Sequence, residues 1–348
     1  MAKKLAIILG AGASHSINQD HKLSDNQNYR PPLVTDIFRG NREFRAILHK
    51  YTLAEGLASL IDSKIRQNKD GMGLEQILKE YQDRLDVGER SLITNNFLEI
   101  PLYLNELFGE IGVNFTTQPD EYNSLVLLAL DKIDDVLFLT LNYDVLLEIP
   151  LSHNFNIDFS QETDYTNHKG WSLIKLHGSS NWYKPFSKQT GILGDSEYFR
   201  LIRDSQLPLS LQNSFKFFNL YERARKYDDL TAIYPAITVP VAGKYQINCP
   251  VSHEKRAKEF LSDCQNYLII GTSGKDQDLL DLLKQNAKGG KALAIGRHED
   301  STNKTRENVM LAAPQFQFNF DVYFHPRGFT QFIDSGELER FLNNLIEN

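Results

Sequence analysis

Apolar residues in this chain occur in two rhythms. Short, nearly continuous runs recur as LAIIL at 5–9, VLFLTL at 136–141, SLIKL at 172–176, YLIIG at 267–271, ALAIG at 292–296 and FQFNFDVYF at 316–324. Most show no alternation, which is the pattern of strands buried on both faces of a parallel sheet. Between the first two runs the rhythm changes to helical spacing. Leu53, Leu57, Leu60, Ile61 and Ile65 form one set; Leu74, Ile77, Leu78, Tyr81 and Leu85 form a second; Leu92, Ile93, Phe97, Leu104, Leu107 and Phe108 form a third. Pro101 lies within the third and predicts a kink or break there. These stripes are the core faces of packed helices. The pattern predicts an α/β fold: a Rossmann-like, doubly wound parallel sheet in one domain over 1–348, with helical insertions at about 40–132 and 185–230.

Composition narrows the function classes. The 348 residues are 41% hydrophobic and 24% charged, as expected of a chain that buries a full core. A net charge of -7 argues against a surface built to neutralise phosphates, so no nucleic-acid partner is expected. Two cysteines, Cys249 and Cys264, exclude a disulfide framework and a four-cysteine zinc site. The start, MAKKLAIIL, superficially resembles a signal peptide, but its apolar run is too short. The stretch from Ser124 to Leu130 is likewise far short of the roughly 20 residues that span a bilayer. These features predict a soluble, cytoplasmic protein with no membrane partner.

Chemistry gathers where the apolar runs end. After the first run, GAGAS (Gly10, Ala11, Gly12, Ala13, Ser14) offers a tight strand-to-helix turn whose amides suit a pyrophosphate. A structural turn would use the same glycines. His15 stands where a dehydrogenase fingerprint needs its third glycine, and no acidic residue ends an obvious second strand about 20 residues on. The second run ends in TLNYD, placing Asn142 and Asp144 at the carboxyl edge of the sheet, where such folds bind ligands. A helix cap would also use these residue types. The third run ends in LHGSSNW, with His177 only 35 positions beyond Asn142, followed by Gly178 and Trp182. A lone histidine of this kind is more often a structural hydrogen-bonder than a catalyst.

Taken together and in this order, GAGAS, TLNYD, LHGS and the later IIGTS resemble the sirtuin superfamily of NAD-consuming enzymes. The resemblance spans Leu5 to about Gly296. It implies one sirtuin-like NAD-binding domain in which Gly10 to Ser14 cradle the NAD pyrophosphate. It places Asn142 and Asp144 near the nicotinamide ribose, with Thr140 beside them on the cofactor side, and makes His177 the general base. Gly271, Thr272 and Ser273 match the family's GTS segment, which contacts the adenosine-side phosphate and ribose. Arg30 to Phe38, RPPLVTDIF, resembles the loop that folds over the nicotinamide end.

The chain departs from the lysine deacylases of that superfamily. They carry a zinc module with two CxxC pairs, and this sequence has no CxxC. The nearest candidate for their peptide-holding FGE segment is ITVPVAGKYQ at 237–246, which ends differently. The long helical insertions and the TxNYD and LHGSxNW forms resemble bacterial sirtuin-like domains of antiphage defence, which typically hydrolyse NAD. The resemblance therefore implies an NAD hydrolase, with NAD as its substrate, in which Asp144 stabilises the cationic sugar. Protein deacylation, ADP-ribosyl transfer and a non-catalytic nucleotide sensor stand as alternatives. The other eight histidines form no ligand spacing and there is no HExxH, so no metal is expected. His15 is either a helix-start surface residue or a neighbour of the cofactor phosphates. An unregulated NADase would empty its own cell of cofactor, so control by a homo-oligomer or a partner defence protein is expected.

Overall fold

The computed structural model describes residues 2–17, 26–67, 74–86, 92–115, 120–204, 210–222, 225–240, 247–318 and 322–347. The chain opens with strand β1 (Lys4–Leu9) and a short helix α1 (Ala11–Ser16). Five helices follow: α2 (Arg42–Leu48), α3 (Thr52–Gln67), α4 (Leu74–Asp86), α5 (Leu92–Asn114) and α6 (Asp120–Lys132). Of the side chains the helical spacing selects, Leu57, Ile61, Leu74, Ile77, Leu78, Leu104 and Leu107 are buried, whereas Leu60 is 47% exposed. Helix α5 continues through Pro101.

Strand β2 (Asp135–Thr140), helix α7 (Glu148–Phe155) and strand β3 (Trp171–Lys175) return the chain to the sheet. Next come β4 (Gly178–Pro185), α8 (Asp195–Asp204), β5 (Lys216–Phe217), β6 (Tyr227–Asp228) and β7 (Thr231–Ile237). The last part alternates α9 (Val251–Asp263), β8 (Asn266–Ile270), α10 (Gln277–Asn286), β9 (Gly290–Gly296) and α11 (Glu299–Ala312). It ends with β10 (Phe316–Gln317), β11 (Tyr323–Phe324), α12 (Phe329–Asp334) and α13 (Glu337–Glu347).

The large sheet runs β10-β9-β8-β1-β2-β3, with β11 also on β9, and every pairing is parallel. Strand order therefore reverses at β1: the chain builds outward through β2 and β3, then restarts on the other side at β8. That is the doubly wound, Rossmann-like arrangement, and it creates a crevice at the carboxyl ends of β1 and β8. Alternate residues explain the unbroken apolar runs. Leu5, Ile7, Leu9, Val136 and Phe138 join the core shared with the helical insertion, while Ala6, Ile8, Leu137 and Leu139 pack against α9 and α10 side chains on the other face. Each fully buried large aliphatic side chain contributes about 1.5–3 kcal/mol.

Among the described residues, the segment 185–230 holds one helix, α8; the rest of its regular structure belongs to a second, antiparallel sheet, β5-β4-β7-β6. Helix α5 packs on β4 and β7 of that sheet. In the stretch 316–324, β10 and β11 are two short strands that both pair with β9, and positions 319–321 between them lie outside the described residues. Among the described residues no helix is long and apolar enough to cross a membrane. Cys249 and Cys264 are buried free thiols; burial pushes them up to about 12 and about 11.

Candidate active site at the carboxyl edge of the large sheet

Strands β1 and β8 pair in register from Ala6 with Tyr267 to Leu9 with Ile270, so Gly10 and Gly271 leave the sheet side by side. Their turns interlock through backbone. The Gly10 amide donates to Ile270 O at 2.9 Å and the Gly12 amide donates to Gly271 O at 2.8 Å. Gly271 has φ +64°, and a Cβ there would stand 2.1 Å from the Ala13 nitrogen. A Cβ on Gly10 would stand 2.7 Å from Gly271 O. The glycines are required first by each other, and two of the turn's amides point at β8. Beyond them, Thr272 O accepts the Thr305 hydroxyl at 2.7 Å, Ser273 O accepts Asn308 Nδ2 at 3.0 Å, and the Ser273 side chain is exposed.

The β2 side of the crevice is made of side chains. Thr140 Oγ1 accepts the Asn142 amide at 3.1 Å and donates to Leu9 O at 3.4 Å, tying the end of β2 to β1. Ser14 is fully buried: its hydroxyl accepts Asn142 Nδ2 at 3.0 Å, lies 2.9 Å from the Tyr122 hydroxyl and donates to Asp144 Oδ1 at 3.2 Å. Asp144 Oδ1 also accepts the Leu146 amide at 3.2 Å. Asn142 Oδ1 is buried without a protein partner among the described residues.

Below this network sits a buried ion pair. Lys175, the last residue of β3, donates from Nζ to Glu148 Oε1 at 2.7 Å and to the Asp144 carbonyl, and both side chains are 0% exposed. Burial raises the Asp144 and Glu148 carboxyls above their ordinary range, and the Lys175 charge pulls both back. Burial, reinforced by the Asp144 charge, drives Tyr122 well above the usual phenol range, which keeps it a donor.

His177 occupies the junction of the two sheets. Lys175 still pairs with Thr140 in the large sheet, while Gly178 already pairs with Ile237 in the small one. Two residues therefore carry the chain from one sheet to the other. Gly178 is at φ +86°, and a Cβ would lie 1.7 Å from Ala236 O, so only glycine fits. His177 is 8% exposed. Its Nε2 donates to Asp276 Oδ2 at 2.8 Å, and Nδ1 lies 3.9 Å from Asp278 Oδ2. Burial would raise the Asp276 carboxyl, but the His177 bond and charge, with the Leu279 amide, hold it below its ordinary value.

A sequence profile described as a SIR2-like domain matches residues 136–315, more than half of the chain. The chain belongs to the SIR2-like family. Among solved structures it is similar to a Sir2 homologue mutant in complex with ADP-ribose, at 14% identity and TM-score 0.47, covering 99% of this chain and 94% of that one. It is also similar to a Sir2 homologue bound to NAD, at 14% identity and TM-score 0.44, covering 99% and 91%. Among curated proteins none matches.

In this SIR2-like chain the four motif segments follow β1, β2, β3 and β8, four adjacent strands of one sheet. Asn142 and His177 each lie two positions beyond the paired residues Thr140 and Lys175, so they leave the edge level with one another. His15 lies in α1, partly buried, with Nδ1 2.8 Å from Pro31 O, and burial lowers its basicity. Arg30 donates to His15 O at 2.7 Å and to Ile17 O at 2.9 Å, so the start of RPPLVTDIF is clamped against the end of α1. Of ITVPVAGKYQ, Ile237 ends β7 and positions 241–246 lie outside the described residues. Trp182 is fully buried; its Nε1 donates to the Tyr165 hydroxyl at 2.9 Å and its ring packs edge-on against Phe217 and His253. It is packing for the small sheet.

Sequence reasoning did not single out Tyr122, Glu148, Lys175, Asp276 or Asp278. A lysine inside an otherwise apolar strand end, LIKL, is a signal for a buried ion pair. The alternation DQD three residues past GTS is a signal for two carboxylates opening a helix beside the crevice.

Proposed function

We propose that this chain hydrolyses NAD at the nicotinamide-ribose bond, releasing nicotinamide and ADP-ribose. The observation that carries the reading is a buried acceptor without a partner, Asn142 Oδ1, at a strand end level with His177, on the edge where four glycine- or polar-ended strands converge. Such an acceptor fits a ribose hydroxyl or a water. In the reaction the C1′–N bond breaks, and its electron pair returns to the nicotinamide ring, which loses its positive charge. The oxocarbenium-like sugar left behind is captured by water. His177 takes the water's proton as the new C–O bond forms. Asn142 orients that water or the ribose, and the Asp144 carboxyl supplies negative potential beneath the cationic sugar. On this reading Thr140 and the GAGAS and GTS turns hold the dinucleotide, and the clamped Arg30 to Phe38 segment forms one wall.

The SIR2-like family membership supports NAD as the substrate. The absence of any CxxC pair in the sequence speaks against the deacylase alternative. We further propose that the activity depletes NAD in bacterial antiphage defence in the cytoplasm, and that a homo-oligomer or a partner protein restrains it. The decisive test is incubation of the protein, alone and with candidate partners, with NAD while nicotinamide is measured. His177→Ala and Asn142→Ala should each lower the rate by about 100- to 10,000-fold with an unchanged circular dichroism spectrum. Full activity in both variants would sink the assignment. An O-acylated product would mark deacylation, and saturable NAD binding without products would mark a sensor.

A further inference from the structure

We propose that Asp276 is the positioning residue for His177, fixing its ring and its tautomer from the opposite wall of the crevice. The inference rests on the reading of His177 as the base. Asp276 is the N-cap of α10: its Oδ1 accepts the Leu279 amide at 2.9 Å, while Oδ2 accepts His177 Nε2 at 2.8 Å. One carboxylate thus ends a helix and orients a ring. The helix is anchored by Leu279, Leu280, Leu282 and Leu283, all buried, so the carboxylate is held by the core. A base whose second nitrogen is bonded to an anchored carboxylate has one tautomer and one orientation.

The geometry has a particular span. In the sheet order β8-β1-β2-β3, His177 follows β3 and Asp276 follows β8, three strand spacings away, or about 14 Å at ~4.8 Å per spacing. Their contact arches over the ends of β1 and β2, where Gly10 and Asn142 emerge. With the proton on Nε2, the lone pair falls on Nδ1, which becomes the nitrogen that accepts a proton from water. Asp278, 3.9 Å from Nδ1 and 5% exposed, then stands where it favours the imidazolium formed. His177, Asp276 and Asp278 also have the composition of a cation site. One ligand atom from each of the three lies within 4.8 Å of the others, but Asp276 Oδ2 already holds His177 Nε2 at 2.8 Å, so an ion bound by all three would have to displace that hydrogen bond. The arrangement fits an oriented imidazole better than a metal.

Asp276→Asn tests this directly, because asparagine caps a helix as well as aspartate does. With Oδ1 kept on Leu279, the new amide group donates to Nε2 and forces the proton onto Nδ1. In the full-length protein labelled with ¹⁵N-histidine, the wild type should show the Nε2–H tautomer at His177, assigned by loss of its signals in His177→Ala. Asp276→Asn should show Nδ1–H, with the titration midpoint lowered by roughly one unit and an unchanged Tm. The kcat for NAD hydrolysis should fall by about 100- to 10,000-fold with KM nearly constant. Asp276→Ser, which keeps a cap without a carboxylate, should mix the tautomers and lower kcat as well. An unchanged tautomer and midpoint in both variants overturns the proposal. So does a rise in kcat, which would make the contact a latch, or a shift of the wild-type His177 signals on adding Mg²⁺ or Zn²⁺. If the wild type shows the predicted tautomer but no NAD loss under any condition, the positioning stands and the hydrolase reading fails.

Discussion

The two halves of the carboxyl edge are built on opposite principles. Between β1 and β8 the chain closes with glycines and backbone hydrogen bonds, and nearly every requirement is steric. Between β2 and β3 it closes with buried polar side chains, and nearly every requirement is electrostatic: Ser14, Tyr122, Asn142, Asp144, Glu148 and Lys175 are linked by hydrogen bonds out of water that leave Asn142 Oδ1 open. The first half tolerates no added atom. The second tolerates no removed charge, because a buried ion loses far more when its partner leaves than the pair gains by existing.

The comparison is most easily broken at Lys175. Lys175→Met should cost about 3–5 kcal/mol by urea denaturation, because Glu148 is left buried without its counter-ion. The double variant Lys175→Met with Glu148→Gln should recover much of that loss. If the single and double variants were equally unstable, the polar half would be held by shape and not by charge. Next in size is Gly271→Ala, which forces a left-handed backbone on alanine and drives a Cβ into the Ala13 nitrogen. A loss of about 2–4 kcal/mol is expected, accompanied by disruption of the GAGAS turn. A near-neutral result would mean that the seam relaxes and its glycines answer to something else.

The smallest effect separates charge from packing away from the edge. His253 is fully buried against Trp182 and Phe217, and its Nε2 donates to Glu162 O at 3.1 Å. Burial lowers its pKa below 6.5, with the Glu162 carbonyl opposing. The unfolded chain therefore binds this proton more readily than the folded one. The contribution to stability is complete above about pH 6.5 and is lost as pH falls through the depressed folded value. His253→Gln should flatten the decline in urea midpoint between pH 7.5 and pH 5. An identical slope in the variant would assign that decline to other groups.

How far the sequence reveals this structure follows from the same contrast. The parallel strands were legible because burial on both faces leaves an unbroken apolar run, as in LAIIL and YLIIG. The antiparallel sheet was not: β4 begins Gly-Ser-Ser-Asn, which reads as a turn, β7 carries Pro235, and β5 and β6 are two residues each. Likewise the motif residues Asn142, Asp144 and His177 stand out at strand ends, since polar groups are conspicuous after apolar runs. Their supports do not. Asp276 looks like an ordinary helix cap, and Tyr122 and Glu148 look like helix-face residues, until the fold brings Asp276 to His177 across 99 positions, Tyr122 to Ser14 across 108 and Glu148 to Lys175 across 27. Lys175, a cation inside a core strand, signals a buried ion pair but does not name its partner.

Those separations carry a consequence during synthesis. Ser14 meets Tyr122, Asn142 and Asp144 across 108, 128 and 130 residues, and His177 meets Asp276 across 99. A nascent chain still short of residue 276 has the histidine but not the carboxylate that holds it, and lacks β9 entirely. Contacts of such long range are also the slow ones to form. The site therefore cannot assemble in a growing chain until residues 276 to 278 have emerged, however early its histidine was made.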